Sequence, residues 1–167
     1  MKSNLALLLG LSATLMAAGC ANDGAATARA IVGEWRSSVQ FKTGALAPIK
    51  NLEFMYVFNL GGTLTESSNY DGAPPVPPAY GIWRSLGPGE FEVKYEFYMS
   101  QAPSGADELI RNGGWLPSGR GVLMERFTLS PDGQSFTSSV RFDVFDLEGR
   151  PTGDSGEGVG RGARLVF

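Results

Sequence analysis

From residue 31 onward, apolar residues recur at every second position in short runs separated by turn residues. This alternation restricts the chain to half-buried β-strands, because successive side chains on a strand point to opposite faces. The clearest run is FEVKYEFYM, 91–99, with Phe91, Val93, Tyr95, Phe97 and Met99 on one face and Glu92, Lys94 and Glu96 on the other. In 31–41, Ile31, Gly33, Trp35, Ser37, Val39 and Phe41 share a face opposite Glu34, Arg36 and Gln40. The run 52–60 aligns Leu52, Phe54, Tyr56, Phe58 and Leu60, and Gly61-Gly62 turns it into 63–69. Runs at 81–86, 121–130, 135–146 and 155–167 bring the total to about eight strands. In 155–167, glycines 156, 158, 160 and 162 share one face, and Glu157, Val159, Arg161, Ala163, Leu165 and Phe167 share the other. One short helix is expected within 101–119, where Ser104 and Asp107 fit a capping box and Gly113 follows its end.

Hairpin-like connections dominate, and the 23 glycines and 10 prolines of the 167 residues supply their turns. An open sheet of this size would expose two edges to aggregation, and closure removes them. The expected fold is therefore all-β, a single up-and-down antiparallel β-barrel over 31–167, with a two-sheet sandwich as the alternative closure. About eight strands enclose a space that side chains fill or that holds one small ligand. Residues 70–80 contain a proline cluster that forbids regular pairing. In up-and-down order that connection and 101–119 follow the third and fifth strands and fall at one end, the expected mouth. The turns at 61–62 and 87–90 fall at the other end, with Gly33 and Trp35.

The first 20 residues, MKSNLALLLGLSATLMAAGC, have a different character. Lys2 precedes an apolar run from Leu5 to Leu15, then come Ala17, Ala18, Gly19 and Cys20. This is the architecture of a secretory signal peptide, 1–19, too short for a comfortable membrane span. It also resembles a bacterial lipoprotein signal, which implies cleavage before Cys20 and lipidation of that cysteine. Ala17 stands where that family prefers leucine, and Ala21 after the cysteine implies the outer membrane if the cell has one. Cys20 is the sole cysteine, and a lone cysteine in an exported chain calls for a role. The competing reading is a plain signal peptide, with Cys20 a free thiol or removed. Residues 21–30 read as a tether that reaches about 17 Å root-mean-square.

Composition narrows the chemistry. Histidine is absent, which removes the usual neutral-pH base and the commonest metal ligand. Without histidine, and with Cys20 assigned to the anchor, no nucleophilic triad can be assembled. No metal-ligand spacing occurs, and no cofactor is expected. The net charge of −3 becomes −4 when Lys2 is removed, and no basic stripe points to nucleic acid. The GEGVGRG stretch at 156–162 does not open a helix after a strand, so it fails the context of a dinucleotide loop. Two carboxylates fall on inward parity, Glu125 with Leu123, Phe127 and Leu129, and Glu66 with Leu64. A buried carboxylate must pair or become protonated. Glu125 and Glu66 are thus candidate catalytic acids or ligand anchors, and the alternative is a structural ion pair with Arg161. Tyr56, Trp83, Tyr95 and Phe97 are candidate ligand-lining residues, with barrel filling the competing explanation. Trp115, between glycines and a proline on the long connection, is a candidate lid residue.

The GEW triplet at 33–35, in the first strand of such an array, resembles the calycin group of lipocalins, fatty-acid-binding proteins and avidins. The resemblance covers 31–167 in rhythm and one short motif. It implies that Trp35 closes one end, that Gly33 lets the backbone approach there, and that an arginine of the last strand packs over the indole. Arg161 is the expected partner, from its parity with Ala163, Leu165 and Phe167. The segment SPDGQ stands where a lipocalin carries TDY, and a C-terminal helix is missing from the pattern. Small barrels of the allene-oxide-cyclase type share this outline. The expected function is an exported, lipid-anchored barrel that binds a small apolar molecule. The alternatives are a cyclase- or isomerase-type enzyme that uses a buried carboxylate, and a protein-interaction or inhibitor lipoprotein with a filled barrel.

Overall fold

The computed structural model describes residues 29–70 and 77–167. The expected signal segment, Cys20 and nearly all of the 20–30 tether lie outside the described residues, as does the centre of the proline-rich connection. Eight strands run β1 Gly33–Phe41, β2 Leu52–Phe58, β3 Thr63–Ser68, β4 Ala79–Gly87, β5 Glu90–Gln101, β6 Leu116–Leu129, β7 Ser135–Phe145 and β8 Pro151–Arg164. Each pairs antiparallel with its chain neighbour, and β8 returns to β1, so the sheet closes as an up-and-down barrel. This architecture is compatible with a calycin-like fold, and the sandwich alternative is excluded.

Alternation drives the closure. In β2 the burial pattern switches at every residue, with Leu52, Phe54, Tyr56 and Phe58 inward. The pairs Trp35↔Tyr56 and Ser37↔Phe54 keep that parity in register with β1, which a one-residue slip would invert. Tight turns fix the closed end. Gly62 donates its N–H to the Asn59 carbonyl at 3.1 Å between β2 and β3, and Gly133 bonds Ser130 at 2.9 Å between β6 and β7.

The strand boundaries differ most from expectation in two places. The strands flanking the 101–119 connection continue further, because β5 and β6 pair on through Ser100↔Pro117 and Gln101↔Leu116. What remains of the connection holds one helix, α1, Ala106–Asn112, ended by Gly113 in the left-handed conformation at φ 70°. Its start is Gly105, so the residue that reaches back to the Ser104 N–H is Glu108 rather than Asp107 (N–H···O 2.6 Å). The second difference is in β8, which begins at Pro151 and ends at Arg164, and whose glycine face is the buried one.

The burial of the glycine face has a steric cause. A Cβ at Gly162 would sit 2.4 Å from the Phe136 ring, and one at Gly160 would sit 2.4 Å from the Ser138 hydroxyl. The neighbouring strand β7 projects large side chains across the lumen, and β8 leaves the volume for them. Arg161 therefore lies on the outer surface. The expectation that it covers Trp35 is incorrect, and Arg164 does so, its guanidinium 4.3 Å from the indole centroid.

Candidate functional site

The lumen is built in tiers. At the closed end Trp35 is fully buried, edge-on to Phe136 at 5.4 Å, and its Nε1–H donates to the Ile31 carbonyl at 2.8 Å. Phe127 packs on Phe136 at 4.6 Å and on Phe58 at 5.6 Å. Trp83 belongs to this plug. Its ring meets Phe58 and Phe91, and its Nε1–H donates to Asn59 in the β2–β3 turn at 3.0 Å. Trp83 consequently does not line a ligand space, because its position on β4 is near the closed end.

Above the plug lies a polar tier. Glu125 is 1% exposed. Its Oε2 accepts the Tyr56 hydroxyl at 3.0 Å and the Tyr95 hydroxyl at 2.9 Å, and its Oε1 accepts the Ser138 hydroxyl at 2.5 Å. Tyr56 and Tyr95 are spent on this carboxylate and are absent from the walls of the cavity above. Burial raises the Glu125 carboxyl to about 7 against the pull of those three donors. The phenols of Tyr56 and Tyr95 are held well above their ordinary value, first by burial and then by the Glu125 charge, so they remain donors.

Glu66 is arranged differently. It is 6% exposed, and its Oε1 is buried with no hydrogen-bond partner among the described residues. Burial, then the charge of Glu125, pushes its carboxyl up to about 8. Neither acid forms a salt bridge, and every ion pair among the described residues lies at the surface. The expected alternative of an ion pair with Arg161 is therefore not realised.

Above this tier a cavity of about 410 Å³ opens among the starts of β2 and β8, the ends of β3, β5 and β7, and the middle of β6. Leu52, Phe54, Phe97, Leu123, Phe142 and Val144 form its apolar wall, and Glu66 is the carboxylate at its depth. Phe97 and Phe142 stack nearly parallel at 6.1 Å. Tyr70 and Pro77, which flank the proline-rich segment, reach the same space as Ser100 from the end of β5. In the up-and-down order the two longest connections thus leave the barrel at the same end, opposite Trp35. Trp115 precedes β6 at that end, 38% exposed, and does not line the cavity.

Of the four candidate lining residues and the candidate lid residue Trp115, the structure places Phe97 alone in the cavity wall. Parity assigned the inward face correctly for Leu52, Phe54, Leu123, Phe142 and Val144, but parity carries no height along the barrel. Height was available from the turns, since inward residues nearest the long connections must be nearest the mouth. Among the described residues no cluster of three metal-ligating side chains occurs. Comparison with known proteins finds no matching family model, no matching curated protein and no matching solved structure.

Proposed function

We propose that this protein is an exported, lipid-anchored barrel that binds a small, mainly apolar molecule at its mouth. The observation that carries the reading is the cavity of about 410 Å³ over a fully packed plug. A barrel that served only as a scaffold for its loops would be filled throughout, and small-molecule sites begin at about 300 Å³. The wall is apolar, and one buried acid offers a single directional contact, which is the usual division between affinity and orientation. The anchor rests on the signal architecture of 1–19 and on Cys20 as the sole cysteine.

The test is saturable binding of N-phenyl-1-naphthylamine, an uncharged apolar fluorophore, together with native mass spectrometry of protein purified from its own host. One-to-one binding with enhanced emission is expected. Val144→Trp should occupy the cavity from its half-buried rim and weaken binding about tenfold, about 1.4 kcal/mol. Unchanged binding by that variant, with the fold intact by circular dichroism, rejects the cavity as the site.

One observation favours a second reading, an enzyme of the cyclase or isomerase kind. Glu66 faces an apolar space with its carboxyl raised to about 8, which suits a general acid at neutral pH. Glu66→Gln separates the two readings, since it would abolish turnover and leave fluorophore binding in place.

A further inference from the structure

We infer that the molecule held in this cavity is a cationic amphiphile, an amine at one end of an aromatic or aliphatic body, with Glu66 as the partner of its ammonium group. This rests on the cavity being a ligand site and adds the ligand's charge.

The argument begins with what lines the space. Among the described residues its charged lining is Glu66 and Asp154, with no lysine or arginine. Below lies a third carboxyl, Glu125. The groups that bear on Glu66 are Glu125 on β6, and Tyr56 and Tyr95 from β2 and β5, which stay neutral. Lys42 and Lys50, on the β1–β2 connection beside the mouth, are solvent-exposed and do not line the cavity, and other basic side chains are engaged elsewhere. Arg164 spans the closed end, and Arg84, Arg120, Arg126, Arg141, Arg150 and Lys94 pair with surface acids.

A buried carboxyl without a partner costs free energy that a cation with N–H donors removes. Glu66 Oε1 is such an unpartnered atom, and its side chain forms part of the cavity wall. Of the three terminal groups a small amphiphile commonly carries, an ammonium meets both requirements, hydrogen bonding and charge. A hydroxyl meets the first alone. A carboxylate supplies no donor to the Glu66 Oε1 and brings its charge next to Asp154. The rings of Phe54, Phe97 and Phe142 add a wall that attracts cations as well as apolar bodies.

Binding has a proton consequence. At pH 7 the Glu66 carboxyl is mostly protonated. Arrival of an ammonium leaves the amine's own protons in place and displaces the carboxyl proton to solvent, so the bound pair is carboxylate and ammonium.

The experiment compares three probes of one shape by isothermal titration at pH 7: 4-phenylbutylamine, 4-phenylbutan-1-ol and 4-phenylbutanoate. The amine is expected to bind about tenfold tighter than the alcohol, and the butanoate weakest. Titration in buffers of different ionisation enthalpy should show about one proton released per amine bound and none for the alcohol. Glu66→Gln should erase the preference and the proton release while the alcohol still binds. An alcohol that equals the amine in the wild-type protein, or a preference that survives Glu66→Gln, overturns the amine assignment and leaves the cavity reading standing. Failure of all three probes and of the fluorophore overturns both. The wild-type comparison stands even if the variant does not fold.

Discussion

Three residues explain one another at the closed end. Gly33 sits at φ +126°, which side chains rarely tolerate, and a Cβ there would lie 2.8 Å from the Arg164 guanidinium. Arg164 lies over Trp35 and donates to the carbonyls of Val32 at 2.8 Å, Gly133 at 2.9 Å and Ala30. It ties the chain before β1 to the β6–β7 turn across the barrel's base. Trp35→Ala removes a fully buried indole and should cost about 3–5 kcal/mol. Arg164→Ala loses the cation–π contact and three charge-assisted bonds and should cost about 2–3 kcal/mol. Arg161→Ala, on the outer surface, should stay within about 0.5 kcal/mol. Urea denaturation of the three variants checks the order, and an Arg161 effect as large as that of Arg164 would contradict this assignment. The GEW triplet was legible in the sequence as a closure motif. Which arginine completes it was not, because that depends on which face of β8 turns inward.

The element that decides this is β8. Its glycines occupy the lumen face, where β7 supplies Phe136, Ser138 and Phe142. Paired residues of these two neighbouring strands cannot both place full side chains in a lumen this narrow, so bulk on one requires its absence on the other. The expected Arg161–Trp35 contact required the opposite assignment, with the parity of Ala163 and Leu165 inward. Gly162→Ala should destabilise by about 1–3 kcal/mol through overpacking against Phe136. Gly61→Ala makes a contrast, because nothing lies within 4 Å of a Cβ there, and it should be neutral or slightly stabilising. Thermal unfolding of the pair checks the difference. Equal effects would mean that the glycine face of β8 is not packed as described.

For the whole molecule, two acids buried without a cation link stability to pH. Their carboxyls lie at about 8 for Glu66 and about 7 for Glu125, above the ordinary value of 4.5. The folded chain therefore holds more protons than the unfolded chain between those limits. Their contribution is fully present below the unfolded value and is lost as pH rises through 7 and 8. The slope is up to about 1.4 kcal/mol per pH unit for each group. Surface acids work the other way. Glu92, Glu108, Asp132 and Asp146 are held below their usual range, chiefly by hydrogen bonds, and lose that support as pH falls. Stability should peak near pH 5 and decline toward pH 9, and urea midpoints across that span check it. A double Glu66→Gln, Glu125→Gln variant should flatten the alkaline decline, and a profile unchanged by it would contradict the linkage. At the same scale, the proposed anchor predicts that Cys20→Ser moves the protein from the membrane fraction to the soluble one. A wild-type chain that is already soluble and begins after Cys20 would reject the anchor.

Period-two alternation and turn residues by themselves determined the strand count, the up-and-down order, the end at which the mouth lies and the inward parity of Glu66 and Glu125. All of these are local consequences of a pleated backbone and of turns that permit few conformations. The tertiary structure decided which face of β8 is buried, that Arg164 rather than Arg161 covers Trp35, and which inward residues reach the cavity. It also decided that Tyr56 and Tyr95 serve Glu125 while Glu66 is left without a partner. Each of these depends on the height of a side chain in the lumen and on the volume claimed by strands distant in sequence. No period along a single strand encodes that competition for space.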